Sequence, residues 1–122
     1  MKVVVTRDSV AAGDDALAPH EATWELPGEP GVRDVLAALD RDRYLPDVRP
    51  STWVVLSRGG VAFAVVAQAG KRGTEPRILP GVRDEAAALA GPDGVVRLHF
   101  GYRRQADPDV VHDQLCGTPP QA

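Results

Sequence analysis

The sequence predicts an α+β fold, with a mixed β-sheet of about five strands and one to two helices packed on a face. Three observations lead to this class. Two strand-like runs flank a glycine pair in the middle of the chain, one segment has the apolar spacing of an amphipathic helix, and another alternating run lies near residue 100. The 122 residues are enough for one domain with a modest core.

The middle of the chain, residues 51–68, predicts a β-hairpin. Residues 52–56 are β-branched, aromatic or aliphatic, and residues 61–67 are apolar on both alternating faces. Gly59 and Gly60 tolerate the positive φ that a type I′ turn requires. We therefore expect a hairpin whose second strand lies inside the sheet. A buried helix over residues 61–69 is the competing interpretation.

The flanking elements follow from the same two periodicities. Residues 2–6 and 22–26 predict two strands, the second with one polar face. Val32, Val35, Leu36 and Leu39 form one helical stripe, and we expect this helix to end by residue 43 because Pro46 prevents its continuation. Residues 77–79 are extended, residues 80–90 indicate a second, shorter helix, and residues 95–102 form the last strand.

The order of these elements leaves two topologies open. A hairpin, a helix and further strands that close a mixed sheet resemble the ubiquitin-like, or β-grasp, order. Alternatively, Pro-Gly-Val-Arg-Asp occurs at residues 30–34 and again at 80–84, which fits a duplicated ββαβ unit. The repeated pentapeptide is also explained without duplication, because proline near a helix start and aspartate in the first turn both favour helix formation. The glycine pair is internal, so a carrier role through a C-terminal Gly-Gly is not supported.

Domain limits and location follow from composition. We predict one domain over residues 1–104 and a polar tail over residues 105–122 with at most one helical turn, because Pro108, Pro119 and Pro120 interrupt it. The formal net charge of −3 argues against nucleic acid and anionic membranes as partners. The first apolar run is too short for a signal peptide, and Cys116 is the single cysteine. We therefore expect a cytoplasmic protein without an internal disulfide.

Two groups of side chains could hold a metal ion. The first is a carboxylate-rich loop with a histidine close behind it, formed by Asp8, Asp14, Asp15, His20 and Glu21. Its spacing is not that of an EF-hand, and Gly-Asp-Asp is ordinary turn chemistry. The second is a tail set that would share one helix face, namely Asp109, His112, Asp113 and Cys116. It lacks a known zinc spacing, so we predict no metal, no cofactor and an unreactive free thiol.

The last strand offers the better binding residues. Alternation directs Leu98, Phe100 and Tyr102 inward, and directs Arg97, His99 and Arg103 outward, where Arg104 would join them in a patch for an anion or an acidic partner. A solvated sheet face explains the same pattern. Of the two tryptophans, Trp53 opens the apolar hairpin, whereas Trp24 has polar neighbours and is the choice for a partner surface. The predicted binding residues are therefore Trp24, Arg97, His99 and Arg103.

These observations favour a small non-catalytic protein-binding or accessory module, of an inhibitor or immunity type, whose partner is another protein. The sequence has no phosphate-binding loop, no Gly-x-Ser-x-Gly motif, and no evident histidine and acid partners for Ser9, Ser51 or Ser57. An uncovered sheet edge would also allow a homodimer. The alternatives are a small enzyme that uses His20 or His99 with a nearby carboxylate, and a small-molecule binder.

Overall fold

The computed structural model describes residues 1–68 and 75–116. Its strands are β1 (Lys2–Arg7), β2 (Ala22–Glu25), β3 (Ser51–Ser57), β4 (Val61–Gln68), β5 (Glu75–Ile78) and β6 (Val96–Tyr102). They form one six-stranded sheet in the order β2-β1-β6-β3-β4-β5. Strands β1 and β6 are parallel, and the other neighbours are antiparallel. The predicted α+β class with a mixed sheet is confirmed, with six described strands in place of about five.

Strands β3 and β4 form the predicted central hairpin. Strand β4 is buried on both faces, as Val65 and Val66 on opposite sides are each 0% exposed. The connection is a three-residue loop, Arg58–Gly60, and is longer than the predicted two-residue turn. Gly59 and Gly60 have φ of 81° and 77°, so the positive φ that was expected of the glycine pair is present.

Helix α1 (Val32–Arg41) covers one face of the sheet, which we call the inner face. Asp34 accepts a hydrogen bond from the Gly31 N–H at 2.8 Å and so satisfies a free donor at the helix start. The helix ends in a Schellman motif, in which Tyr44 N donates to Leu39 O and Arg43 takes a φ of 48°. The chain therefore leaves the helix before Pro46 is reached.

Both tryptophans lie in the core on the inner face. Trp53 is 0% exposed and its ring centroid is 4.8 Å from that of Tyr102. Trp24 is 5% exposed and meets Tyr44 edge-on at 5.8 Å. Burial raises the pKa of Tyr44 to about 12, and its hydroxyl donates to the backbone oxygen of His20. Trp24 was predicted as the tryptophan for a partner surface, but the structure buries it because β2 directs it toward α1.

The second helix predicted over residues 80–90 is wrong. The described chain forms a turn there and then a short 3₁₀ segment, Ala86–Leu89. Gly81 takes a φ of 83°, a conformation that an α-helix does not use. The segment also bonds to the start of α1, because Val32 N donates to Asp84 O at 2.7 Å and Ala86 N donates to Pro30 O at 3.1 Å. Tertiary hydrogen bonds thus replace helical ones.

The two copies of the pentapeptide do not share a conformation. Gly31 has a φ of −80° and precedes a helix, whereas Gly81 has a φ of 83° and lies in a turn. The duplicated ββαβ interpretation requires a second helix that residues 80–90 do not form. The β-grasp-like interpretation stays a prediction.

The predicted limit of one helical turn in the tail is also wrong. Helix α2 (Pro108–Leu115) has eight residues, begins with Asp107 as a cap that accepts from Asp109 N, and has Pro108 in its first turn. Val111 packs on Val54 and Val65 on the outer face of the sheet. The helix forms because the second apolar face of the hairpin needs a cover. The rest of the predicted tail, residues 117–122, lies outside the described residues.

Candidate functional site

Part of the outer face is not covered by either of the described helices. Helix α2 covers the hairpin strands β3 and β4, where Val111 and Leu115 meet an apolar cluster. The outward side chains of β2, β1 and β6 lie beside this helix, and Lys2, Thr23 and Arg97 among them are exposed. We call this surface of β2, β1 and β6 the open face.

The parallel pairing of β1 with β6 decides which side chains meet on the open face. Thr6 lies beside His99, and Val4 lies beside Arg97. Leu56 of β3 flanks His99 on its other side. A hollow of about 300 Å³ extends over these positions, with Glu21 and Arg58 also in its lining. The site is therefore a shallow hollow in which polar side chains, among them Thr6 and His99, lie between apolar ones.

Three side chains form a continuous hydrogen-bonded chain, two of them, Thr6 and His99, in the lining of this hollow. Thr6 Oγ1 is 2.7 Å from His99 Nδ1, and His99 Nε2 is 2.8 Å from Asp8 Oδ1. Asp8 Oδ2 accepts the Tyr102 N–H at 2.9 Å, so the backbone of β6 fixes the carboxylate. The side chains of His99 and Asp8 are 36% and 48% exposed, so a ligand from solvent can reach them.

When Asp8 is ionised and the imidazole is neutral, hydrogen-bond chemistry gives one arrangement of protons in this chain. An ionised carboxylate only accepts, so His99 Nε2 carries the hydrogen that points to Asp8. A neutral imidazole then has its lone pair on Nδ1, and the Thr6 hydroxyl must donate to it. A Ser-His-Asp triad uses the two ring nitrogens the other way round, but either nitrogen can accept the proton. The threonine oxygen is therefore paired with a base.

The two arginines at the hollow differ in their partners. Arg97 donates both terminal nitrogens to Asp93, at 3.2 and 2.8 Å, and this pairing holds the pKa of Asp93 at about 2 and raises that of Arg97. Arg58 makes no ion pair within residues 1–68 and 75–116. Its guanidinium crosses Gly91, where a Cβ would lie 2.8 Å from Arg58 Nη1.

The other candidate histidine, His20, belongs to a different cluster. Its Nε2 is 3.1 Å from Ser9 Oγ and 3.6 Å from Asp14 Oδ1. Because serine and carboxylate approach the same ring nitrogen, His20 cannot relay a proton between them as a triad does. The buried Arg7 binds Asp14 through two nitrogens, at 2.7 and 3.1 Å. This cluster holds the loop between β1 and β2 in place.

Replacing Asp14 with asparagine is expected to flatten the loss of stability in acid. The bond from Arg7, with that from Val10 N–H, lowers the pKa of Asp14 from 3.8 to about 2. Because the folded-state pKa is the lower one, the carboxylate stabilises the fold fully above about pH 4, and this contribution is lost as pH falls toward 2. The free energies of unfolding of the parent and the variant, measured in urea across this range, should converge near pH 2.

The neighbouring Asp15→Asn variant is the control for that measurement. Asp15 is exposed and makes no ion pair with any described residue, so its removal should leave the pH dependence close to that of the parent. Parallel curves for the Asp14→Asn variant and the parent would contradict the role given to the Arg7–Asp14 pair.

The predicted binding residues fall into separate places. Arg97 and His99 share the open face, as alternation in the last strand predicted. Arg103 is exposed beyond the end of β6, about 13 Å along the chain from His99, and does not line the hollow. Arg104 lines a second hollow of about 380 Å³ with Ser9 and Tyr102. The predicted four-residue set is therefore not one site.

Three members of the tail set lie on α2 and Cys116 directly follows it, but the members have different partners. Asp109 forms an ion pair with Arg77 of β5. His112 Nδ1 is 3.7 Å from Cys116 Sγ and 3.7 Å from Asp113 Oδ1. In the described part of the chain, no three His, Cys, Asp or Glu side chains are grouped closely enough to hold a metal ion.

Sequence reasoning did not assign Thr6, Asp8 and Arg58 to this site. Thr6 was only the end of the first predicted strand, Asp8 was only a candidate metal ligand, and Arg58 was not a candidate. The parallel register of β1 and β6 brings Thr6 beside His99, and the periodicity of the sequence does not predict that register. Strand order would have been needed to find the site.

The fold and the site define a small α+β protein with a hydroxyl–imidazole–carboxylate chain on an open sheet face. No protein-family model, no curated protein and no solved structure matches the chain. None of the described helices is both long and apolar enough for a membrane crossing.

Proposed function

We propose that the protein is a small hydrolase that cleaves ester bonds on the open face. Thr6 acts as the nucleophile, His99 as the general base, and Asp8 as the group that orients His99. The observation that carries this proposal is the unbroken hydrogen-bonded chain from the Thr6 hydroxyl through both nitrogens of His99 to Asp8. A nucleophile, a base and a third group that orients the base are the recurring elements of covalent acyl transfer.

Exposed surface also supports an enzyme over a protein-binding module. The large hydrophobic side chains exposed among the described residues are Val61, in the hairpin, and Val110, on α2. A hot-spot interface would instead present a contiguous apolar or aromatic patch. The hollow of about 300 Å³ lies at the lower end of the range for small-molecule sites.

The reaction proceeds in two balanced halves. Thr6 Oγ1 bonds to the ester carbonyl carbon while its proton passes to His99 Nδ1. The bond from that carbon to the alcohol oxygen then breaks, and His99 returns the proton to the departing alkoxide. Water next attacks the acyl-threonine and gives a proton to His99, which returns it to Thr6 as the carboxylic acid leaves. Asp8 stays ionised and stabilises the imidazolium in each half.

Replacing Thr6 with valine is expected to lower the hydrolysis of 4-nitrophenyl acetate by at least about 100-fold, because valine keeps the shape but removes the nucleophilic oxygen. Thr6→Ser should keep most of the activity. Mass spectrometry after acid quenching should locate an acetyl group on Thr6 in the parent. His112→Gln is the control for hydrolysis by other imidazoles, since His112 is partly exposed on α2 and distant from β1.

Equal rates for the parent and the Thr6→Val variant would refute the hydrolase. A second function would then be preferred, namely the protein-binding module predicted from the sequence. The observation in its favour is that neither described helix covers the open face, so the exposed side chains of Thr23 and Arg97 can contact a partner. Under this alternative the Thr6–His99–Asp8 chain fixes the recognition surface. Homodimer formation through an edge strand and a cytoplasmic location stay predictions.

A further inference from the structure

We propose that the substrate of the open face carries a carboxylate, and that Arg58 binds this group at the Arg97 end of the hollow, away from the atoms that cleave the ester. This inference deepens the proposed hydrolysis and rests on it. It assigns the substrate class as esters with a second, anionic end. Three features support it: the position of Arg58 at the hollow, the lack of an ion pair to it among the described residues, and the placement of the other charges.

Arg58 and Arg97 both line the hollow. Leu56 of β3 pairs with His99 of the antiparallel strand β6, so the chain beyond Leu56 runs toward the Arg97 end of the hollow. The loop that leaves the sheet at this point carries the Arg58 guanidinium back over Gly91. Arg97 and His99 are two positions apart along β6, which is a backbone spacing of about 7 Å. A ligand held by Arg58 would thus extend along β6 to reach Thr6 and His99.

The charges of the hollow lie at diagonal corners. On β2, Thr23 pairs with Val4, so the same antiparallel register brings Glu21 level with Thr6. Glu21 and Arg58 both line the hollow, one on the side of β2 and the other on the side of β3. An anionic group is repelled from the Glu21 corner and attracted to the Arg58 corner. A substrate with a single anionic end therefore binds in one orientation, with that end at Arg58.

The number of free positive charges favours a carboxylate over a phosphate. Both terminal nitrogens of Arg97 are already bonded to Asp93, so that pair contributes little net charge. Arg58 is the cation of the hollow without an ion pair among the described residues, and one guanidinium matches one carboxylate through two parallel hydrogen bonds. A doubly charged phosphate would leave one charge unbalanced near Glu21, Asp8 and Asp93.

Paired ester substrates test this inference. The mono-4-nitrophenyl ester of adipate has a carboxylate at a suitable distance from its ester carbonyl, and the same compound with that carboxylate methylated is its neutral match. We expect the parent to prefer the anionic ester by about fivefold in kcat/KM, as for an exposed ion pair. Arg58→Gln should remove the preference by lowering kcat/KM for the anionic ester. Arg33→Gln, an exposed position of α1, should change neither rate.

Each result decides between the two proposals. Equal rates with both esters in the parent, while Thr6 is still required, would overturn the carboxylate site and leave the hydrolase standing. If neither ester is cleaved, the hydrolase fails, and an NMR titration with monomethyl adipate decides the anion site. Shifts at His99 and Arg97 that vanish in Arg58→Gln would support the site, and unchanged spectra would overturn it. Equal competition by inorganic phosphate would overturn the choice of carboxylate.

Discussion

Replacing Trp53 with alanine is expected to lower the free energy of unfolding by about 4 kcal/mol. The indole is 0% exposed and packs against Tyr102 at the centre of the inner face, so its removal leaves a cavity that neighbouring strands cannot fill. Domains of this size have total stabilities of about 5–15 kcal/mol, so the variant should lose a large part of its stability. Equilibrium unfolding in urea measures the difference.

The cavity, more than a lost hydrogen bond, should account for this effect. Trp53 Nε1 donates to Ser51 Oγ at 3.2 Å, but that hydroxyl also donates to Gln68 Oε1 at 2.6 Å and keeps this partner in the variant. Trp53→Phe should therefore cost much less than Trp53→Ala. Val61→Ala is a control in the same hairpin, because Val61 is 62% exposed and should contribute little. A cost below about 1 kcal/mol for Trp53→Ala would contradict the central position of β3.

Replacing Val111 with aspartate is expected to cost about 3 kcal/mol and to release α2 from the sheet. Val111 is buried against Val54 and Val65, so the change loses the burial of a valine and places a carboxylate on an apolar surface. The ion pair between Arg77 and Asp109 is partly exposed and cannot hold the helix alone. Exchange of the backbone amide hydrogens should become faster in α2 and in β4.

The adjacent residue gives a matched control for this variant. Val110 is 51% exposed, so Val110→Asp makes the same chemical change on the solvent side of the same helix. We expect a change within about 0.5 kcal/mol and unchanged exchange rates. Equal effects at both positions would show that α2 does not dock, and that the domain ends near residue 104 as the sequence predicted.

Docking of α2 also sets the size of the open face. The helix covers Val54 and Val65 but not the strands that carry Thr6 and His99. Release of the helix by Val111→Asp should therefore leave the Thr6–His99–Asp8 chain in place. Ester hydrolysis that survives in this variant, measured below its unfolding transition, would separate the role of α2 in stability from the chemistry of the site.

The candidate site was only half predictable. Alternation along β6 correctly directed Arg97 and His99 outward, since side chains in any strand change faces at each residue. Their partners could not be predicted in this way. Thr6 is 93 residues from His99 in the chain and meets it because β1 and β6 are parallel neighbours. Trp24 was assigned to a surface from its polar neighbours in sequence, although alternation along β2 directs it to the core.

By itself the sequence determined the elements whose signal is local. The period of two in the strands, the stripe of α1 and the glycine pair after Arg58 each depend on residues close together in the chain. The tertiary structure alone decided the segments whose partners are distant. Residues 80–90 do not form the predicted helix because their backbone bonds to the start of α1. Residues 108–115 form a helix because it buries the outer apolar face of the hairpin. The physical reason is that hydrogen bonds and burial between distant segments outweigh the small local preferences of either segment.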